Sequence, residues 1–197
     1  MILAMRKQTI FPLILLILAA AVSVPAHPLG NFSVNQFSRL EIDKSQIKIR
    51  TVLDMAEIPT FQAAGEIDLD KDGTLSTDEL NAYAEKITPN YINNLLLKVN
   101  SSLIQLQPTI KSAALHEGSG NLPILKIVWD SVGDLPDLNS KNQVSFENKN
   151  YSERIGWNEI VVQRTAGVNI FDSTAFGSGV TDELKAYPQE NLAAPLA

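Results

Sequence analysis

Twelve residues, Asp68-Leu69-Asp70-Lys71-Asp72-Gly73-Thr74-Leu75-Ser76-Thr77-Asp78-Glu79, restrict what this chain can fold into more than any other stretch of it. Carboxylates stand at loop positions 1, 3, 5 and 12, a glycine at 6 and an apolar residue at 8. A hard divalent cation such as Ca²⁺ takes several oxygens at flexible geometry, and alternate side chains of a tightly curled backbone supply them. Asp68, Asp70 and Asp72 each offer one carboxylate oxygen, and Thr74 its main-chain carbonyl. Ser76 at position 9 acts through a water, and Glu79 reaches back to close the shell with both oxygens. Gly73 allows the positive φ that the sharp turn requires. Leu75 points away from the ion into the core. Without a cation the crowded carboxylates repel one another, so binding orders the loop.

This spacing is that of the EF-hand calcium loop, which needs a helix on each side. Before it, Ile58 to Ile67 reads as a short entering helix, with Pro59 in its first turn and Phe61, Ala64 and Ile67 on one face. After it, Ser76 and Glu79 have capping-box spacing, and Leu80, Tyr83, Ala84 and Ile87 form an apolar stripe that stops before Pro89. Glu79 has two suitors, the cap and the ion, and the larger local charge of the ion is expected to win. No second D-x-D-x-D-G loop occurs, so the hand, inserted at about residues 57–88, must pack on the surrounding domain or another copy.

The first 26 residues explain part of the 45% hydrophobic composition. Arg6 and Lys7 precede the apolar run Ile10 to Val22, and Val24-Pro25-Ala26 follows as a small-residue cleavage site, the pattern of a secretory signal peptide. An uncleaved anchor is the alternative, although the run is short for a bilayer. No later segment is long and apolar enough to cross a membrane. Removing the leader with its two cations takes the formal charge from −6 to −8, which argues against nucleic acid and suits a cation-binding surface. The absence of cysteine excludes disulfides and thiolate metal sites, so an exported domain, periplasmic or at the cell surface, relies on core packing and calcium.

Cleavage after Ala26 makes His27 the first residue, whose α-amine and imidazole together could chelate a transition metal such as Cu, Ni or Co; the other histidine is His116. From Phe32 the pattern is extended through Ile42, turns at Asp43-Lys44-Ser45 and returns over Gln46 to Asp54 as a β-hairpin. A second short helix is expected over Pro89 to Leu96, capped by Thr88. Leu97 to Val99 and Leu103 to Gln107 flank the turn Asn100-Ser101-Ser102. Further strands are expected over Ser112 to His116, Leu122 to Asp130, Gln143 to Glu147 and Glu159 to Gln163. The fold class is therefore mainly β, a β-sandwich carrying a helix-loop-helix insert, α+β in total. No nucleophile elbow, H-E-x-x-H helix or phosphate loop occurs, so no enzyme is expected; Trp129 and Trp157 read as core residues.

Four stretches, His27 to Asn35, Leu53 to Gln62, Arg154 to Val162 and Thr181 to Pro188, resemble the extracytoplasmic N-terminal region of nickel/cobalt transporter (NicO-like) family membrane proteins. The resemblance implies a periplasmic or cell-surface domain, residues 27–197, associated with a membrane transporter component. It carries no transport activity over, because no set of membrane helices is in the sequence. The expected function is that of a non-enzymatic calcium-binding domain. The alternative is sensing or delivery of a transition metal through His27.

Overall fold

The computed structural model describes residues 32–175 and 177–187, so the expected leader and His27 lie outside the described residues. Among those described, the protein is mainly β, with eight strands in two sheets and two α-helices. No helix among them is long and apolar enough to cross a membrane.

The expected hairpin forms first. Strand β1 (Val34–Ile42) pairs antiparallel with β2 (Gln46–Met55), Val34 opposite Met55 and Ile42 opposite Ile47. Helices α1 (Glu57–Ile67) and α2 (Thr77–Asn93) follow, then β3 (Leu95–Val99) and β4 (Ser102–Ile104). The β3–β4 turn places Asn100 and Ser101 at φ 48° and 70°, the left-handed pair that a tight hairpin requires. Then come β5 (Gln107–Glu117), β6 (Pro123–Asp134), β7 (Val144–Asn148) and β8 (Asn158–Arg164). One sheet has the order β5-β6-β2-β1-β8, the other β4-β3-β7.

Strand β8 pairs parallel with β1, Phe37 opposite Glu159, a long-range pairing that no local turn announces. Gly156 permits the approach: a Cβ there would lie 1.9 Å from the carbonyl oxygen of Val34. The backbones of 155–157 and β1 bond instead, Val34 N–H donating to Ile155 at 2.9 Å and Gln36 N–H to Trp157 at 2.7 Å.

Alternation in the strands divides the core. One face of the five-stranded sheet buries Leu53, Met55, Leu125, Ile127 and Trp129 under the helices. Farther along, Leu40, Ile47 and Ile49 pack on Leu97, Val99 and Ile104 of the smaller sheet. The opposite face buries Phe37, Val52, Val128 and Val161 beneath Trp157 and Leu184. Both tryptophans are fully buried.

Two helical expectations change. Phe61 is 69% exposed, and α1 instead buries Glu57, Pro59, Thr60 and Ile67. Thr60 fixes that orientation, its hydroxyl donating to the Met55 carbonyl and accepting from Leu125 N–H, both at 2.9 Å. The stripe after the loop does not stop at Pro89. Helix α2 runs through it to Asn93, and Leu95–Leu96 belong to β3. Proline removes one N–H, normally bonded four residues back, and here that partner is the carbonyl of Glu85. Both residues are exposed, so water can take the vacated bond. Thr88 is accordingly no cap: its hydroxyl donates to the Ala84 carbonyl at 2.6 Å and accepts from the Trp129 indole at 2.8 Å.

Candidate metal centre

The loop joining α1 to α2 curls around its own carboxylates. Asp68 Oδ2 accepts from Gly73 N–H at 3.0 Å, pulling the ends of the turn together, while Asp70 Oδ1 accepts from Asp72 N–H and Asp72 Oδ1 from Thr74 N–H. Lys71 at φ 60° and Gly73 at φ 83° supply the reversals. For Gly73 that conformation costs nothing steric. Leu75 leaves the loop inward and packs against the helix-side core.

Asp68, Asp70 and Glu79 come together, one oxygen of each lying within 4.8 Å of the others. Oxygens bound at about 2.3–2.6 Å to one Ca²⁺ stand at most about 5 Å apart, so the three can share an ion with little movement. Asp68 Oδ1 is buried and has no hydrogen-bond partner, while Oδ2 is held by Gly73. A carboxylate oxygen shielded from water and bonded to nothing is costly, and a cation beside it removes that cost. The donors are all oxygens, the set a hard cation takes.

Of the loop's aspartates at positions 1, 3 and 5, Asp72 is the one outside this group. Asp72 is exposed and engaged with Thr74 N–H, and Ser76 is the N-cap of α2. Glu79 closes the cap of α2. Its Oε2 accepts from Ser76 N–H at 2.9 Å and from the Ser76 hydroxyl at 2.8 Å, while Oε1 accepts from Leu69 N–H at 2.7 Å. One carboxylate thus closes the capping box and ties the end of the loop to its beginning. An open groove of about 1850 Å³ between β7 and β8 contains none of these residues, so the loop and not a cavity is the candidate site.

The hydrogen bonds hold the Glu79 carboxyl below its ordinary value of 4.5, the Ser76 backbone N–H contributing most, then the Ser76 hydroxyl and Leu69 N–H. A depressed folded value stabilises the protein fully above the unfolded one and is lost as pH falls through the folded one. In calcium-free buffer the stability difference between wild type and Glu79→Gln should therefore be constant above about pH 5 and shrink as pH falls below the ordinary value. Thermal melts at stepped pH measure it, and a difference that does not shrink as pH falls below the ordinary value would contradict the assignment.

His116 lies exposed on β5. Elsewhere, residues from 32–35, 53–62, 154–162 and 181–187 meet around one buried cluster. Asn35 Nδ2 donates to the Tyr187 hydroxyl at 3.1 Å, which reaches Asp54 Oδ2 at 3.3 Å, and Asn35 Oδ1 accepts from Trp157 N–H at 2.9 Å. Glu159, fully buried, accepts from the Trp157 indole and the Thr181 hydroxyl. Sequence reading marked these stretches without seeing that they touch, because the contacts span up to 152 positions. The chain matches no family model, no curated protein and no solved structure.

Proposed function

We propose that this chain is a calcium-binding, non-enzymatic domain in which α1, the loop and α2 form a single EF-hand set into a sandwich of two sheets. The observation that carries the reading is the Asp68 oxygen, buried and unpartnered beside the converging carboxylates of Asp70 and Glu79. Calcium there neutralises charges that otherwise repel and stiffens the connection between two helices already seated on the sheet. The acidic balance and the lack of cysteine fit an exported domain, periplasmic or at the cell surface, steadied by an ion and not by disulfides. Four stretches of the sequence resemble the extracytoplasmic region of nickel/cobalt transporters, so the partner proposed is a membrane transporter component.

Titration calorimetry tests the ion site. One Ca²⁺ per chain should bind with Kd on the order of 10⁻⁴–10⁻³ M, and Mg²⁺ more weakly because it dehydrates reluctantly and demands octahedral geometry. Glu79→Gln should abolish the heat. Calcium binding that survives both Glu79→Gln and Asp68→Asn would place the ion elsewhere.

A further inference from the structure

Residues 179–187 cross the face of the five-stranded sheet that the helices do not cover, and they do so without forming a strand. Three consecutive residues, Asp182, Glu183 and Leu184, take φ values of 47°, 59° and 62°. L-residues other than glycine visit this region singly and at a cost, because Cβ crowds the following carbonyl. Here the left-handed turn is closed by two amides, Lys185 and Ala186 N–H both donating to the Thr181 carbonyl at 2.9 Å.

Such a turn persists only where its surroundings over-determine it. Thr181 is fully buried, with its hydroxyl on Glu159 Oε2 at 2.6 Å, and Val180 N–H donates to Glu159 Oε1 at 2.7 Å. Leu184 enters the cluster of Phe37, Val52, Val128, Trp157 and Val161. The Tyr187 ring stands edge-on to Trp157, centroids 6.1 Å apart. Between these anchors the Glu183 carboxylate bridges two strands, bonding Arg39 through one oxygen and Arg50 at 3.2 Å through the other. The segment leading in has no helix or strand among the described residues 165–175 and 177–178.

The structure assigns residues 179–187 the role of a clasp, a strained segment that lifts from the sheet as one unit while the rest of the fold stays intact. It is held through side chains, Lys126 Nζ on the Leu184 carbonyl at 3.2 Å among them, and not by a ladder of backbone bonds; its own backbone is strained and it reaches the sheet through an irregular connection, so nothing obliges the strands to melt when it leaves. Lifting removes Leu184 and Tyr187 and uncovers Phe37, Val52, Val128 and Val161 around Trp157, an apolar sheet face available only in the open state. Asn35 and Asp54 lie at one end of that face, so its edge is polar. The clasp concerns a different face from the calcium loop and does not depend on that reading.

Residue-resolved hydrogen exchange on the native chain decides the matter. The amides of Val180, Leu184, Lys185 and Ala186 and the Trp157 indole N–H should exchange together, on the order of 100-fold faster than the amides of Val52 and Leu53. Glu183→Gln should speed the clasp set about tenfold, through loss of charge-assisted bonds, and leave β2 unchanged. Asp182→Gly, which removes Cβ from one left-handed position, should slow it. Clasp amides that exchange at the β2 rate or independently of one another overturn the proposal. So does a Glu183→Gln effect that is absent or shared by β2, or an Asp182→Gly variant that fails to slow the set.

Discussion

Millimolar calcium should raise the thermal midpoint of the wild-type chain by roughly 5–10 °C and leave Glu79→Gln where it was. A ligand present at 100 times its Kd adds about 2.7 kcal/mol to the stability of the state that binds it. For a domain of 150–250 residues each kcal/mol moves the midpoint by about 2–4 °C. With Kd near 10⁻⁴ M, 10 mM calcium meets that condition. Glutamine is the informative substitution because a capping box accepts Glu or Gln at this position, so the helix start survives while the charged, bidentate ligand is lost. The ion-free midpoints of the two proteins at neutral pH should therefore lie close together, their difference being the charge-dependent part of the Glu79 bonds. Asp72→Asn should cost less of the calcium response than Asp68→Asn, because Asp72 stands exposed and outside the converging group whereas Asp68 brings the buried oxygen. Equal calcium-induced shifts in wild type and Glu79→Gln would remove Glu79 from the site.

The helix-loop-helix was legible because its information is local. Twelve consecutive residues specify the turn, Ser76 starts α2 and Leu75 has an apolar neighbourhood to enter. The β1–β2 hairpin was legible for the same reason, since Asp43-Lys44-Ser45 separates two alternating runs that then pair antiparallel, Ile42 opposite Ile47. What escaped sequence reading depends on distant partners. The parallel pairing of β8 on β1 needs Gly156 against Val34, more than a hundred positions away. The orientation of α1 is set by Thr60 and Glu57, polar residues whose burial makes sense only beside Leu125 and Ser119; Glu57 Oε1 accepts from Ser119 N–H at 2.6 Å. An apolar-face rule therefore turned Phe61 inward when it points out. Pro89 looked like a stop, and local rules could not show that the carbonyl it deprives of a partner belongs to an exposed residue. At the candidate site the spacing named every residue of the converging group and the capping box as well, but the bond that Glu79 Oε1 accepts from Leu69 N–H, ten positions back, becomes visible only in three dimensions.

Replacing Trp129 with alanine should lower stability by about 4 kcal/mol, more than any change in the loop itself. The indole is fully buried on β6 and stacks on Tyr91 of α2, ring centroids 4.2 Å apart and planes 18° from parallel, while its N–H reaches Thr88 one turn earlier. Tyr91 is enclosed so completely that burial holds its hydroxyl protonated far above the ordinary range. Truncating a buried tryptophan costs about 3–5 kcal/mol through lost transfer energy and the cavity left behind, and a stacked pair adds roughly 0.5–1.5. For a domain of this size the midpoint should fall by roughly 8–16 °C. Trp129→Phe keeps a ring against Tyr91 and forfeits mainly the bond to Thr88, so it should cost about half as much or less. The comparison bears on calcium because Glu79 sits in the first turn of the same helix. If the indole is what seats α2, loosening that seat reduces the fraction of chains with the loop assembled, and apparent calcium affinity falls in proportion. Urea melts of both variants measure the first effect and calorimetry the second. Equal losses for alanine and phenylalanine, with calcium affinity untouched, would mean that α2 is held by its apolar stripe of Leu80, Tyr83 and Ala84 and not by Trp129.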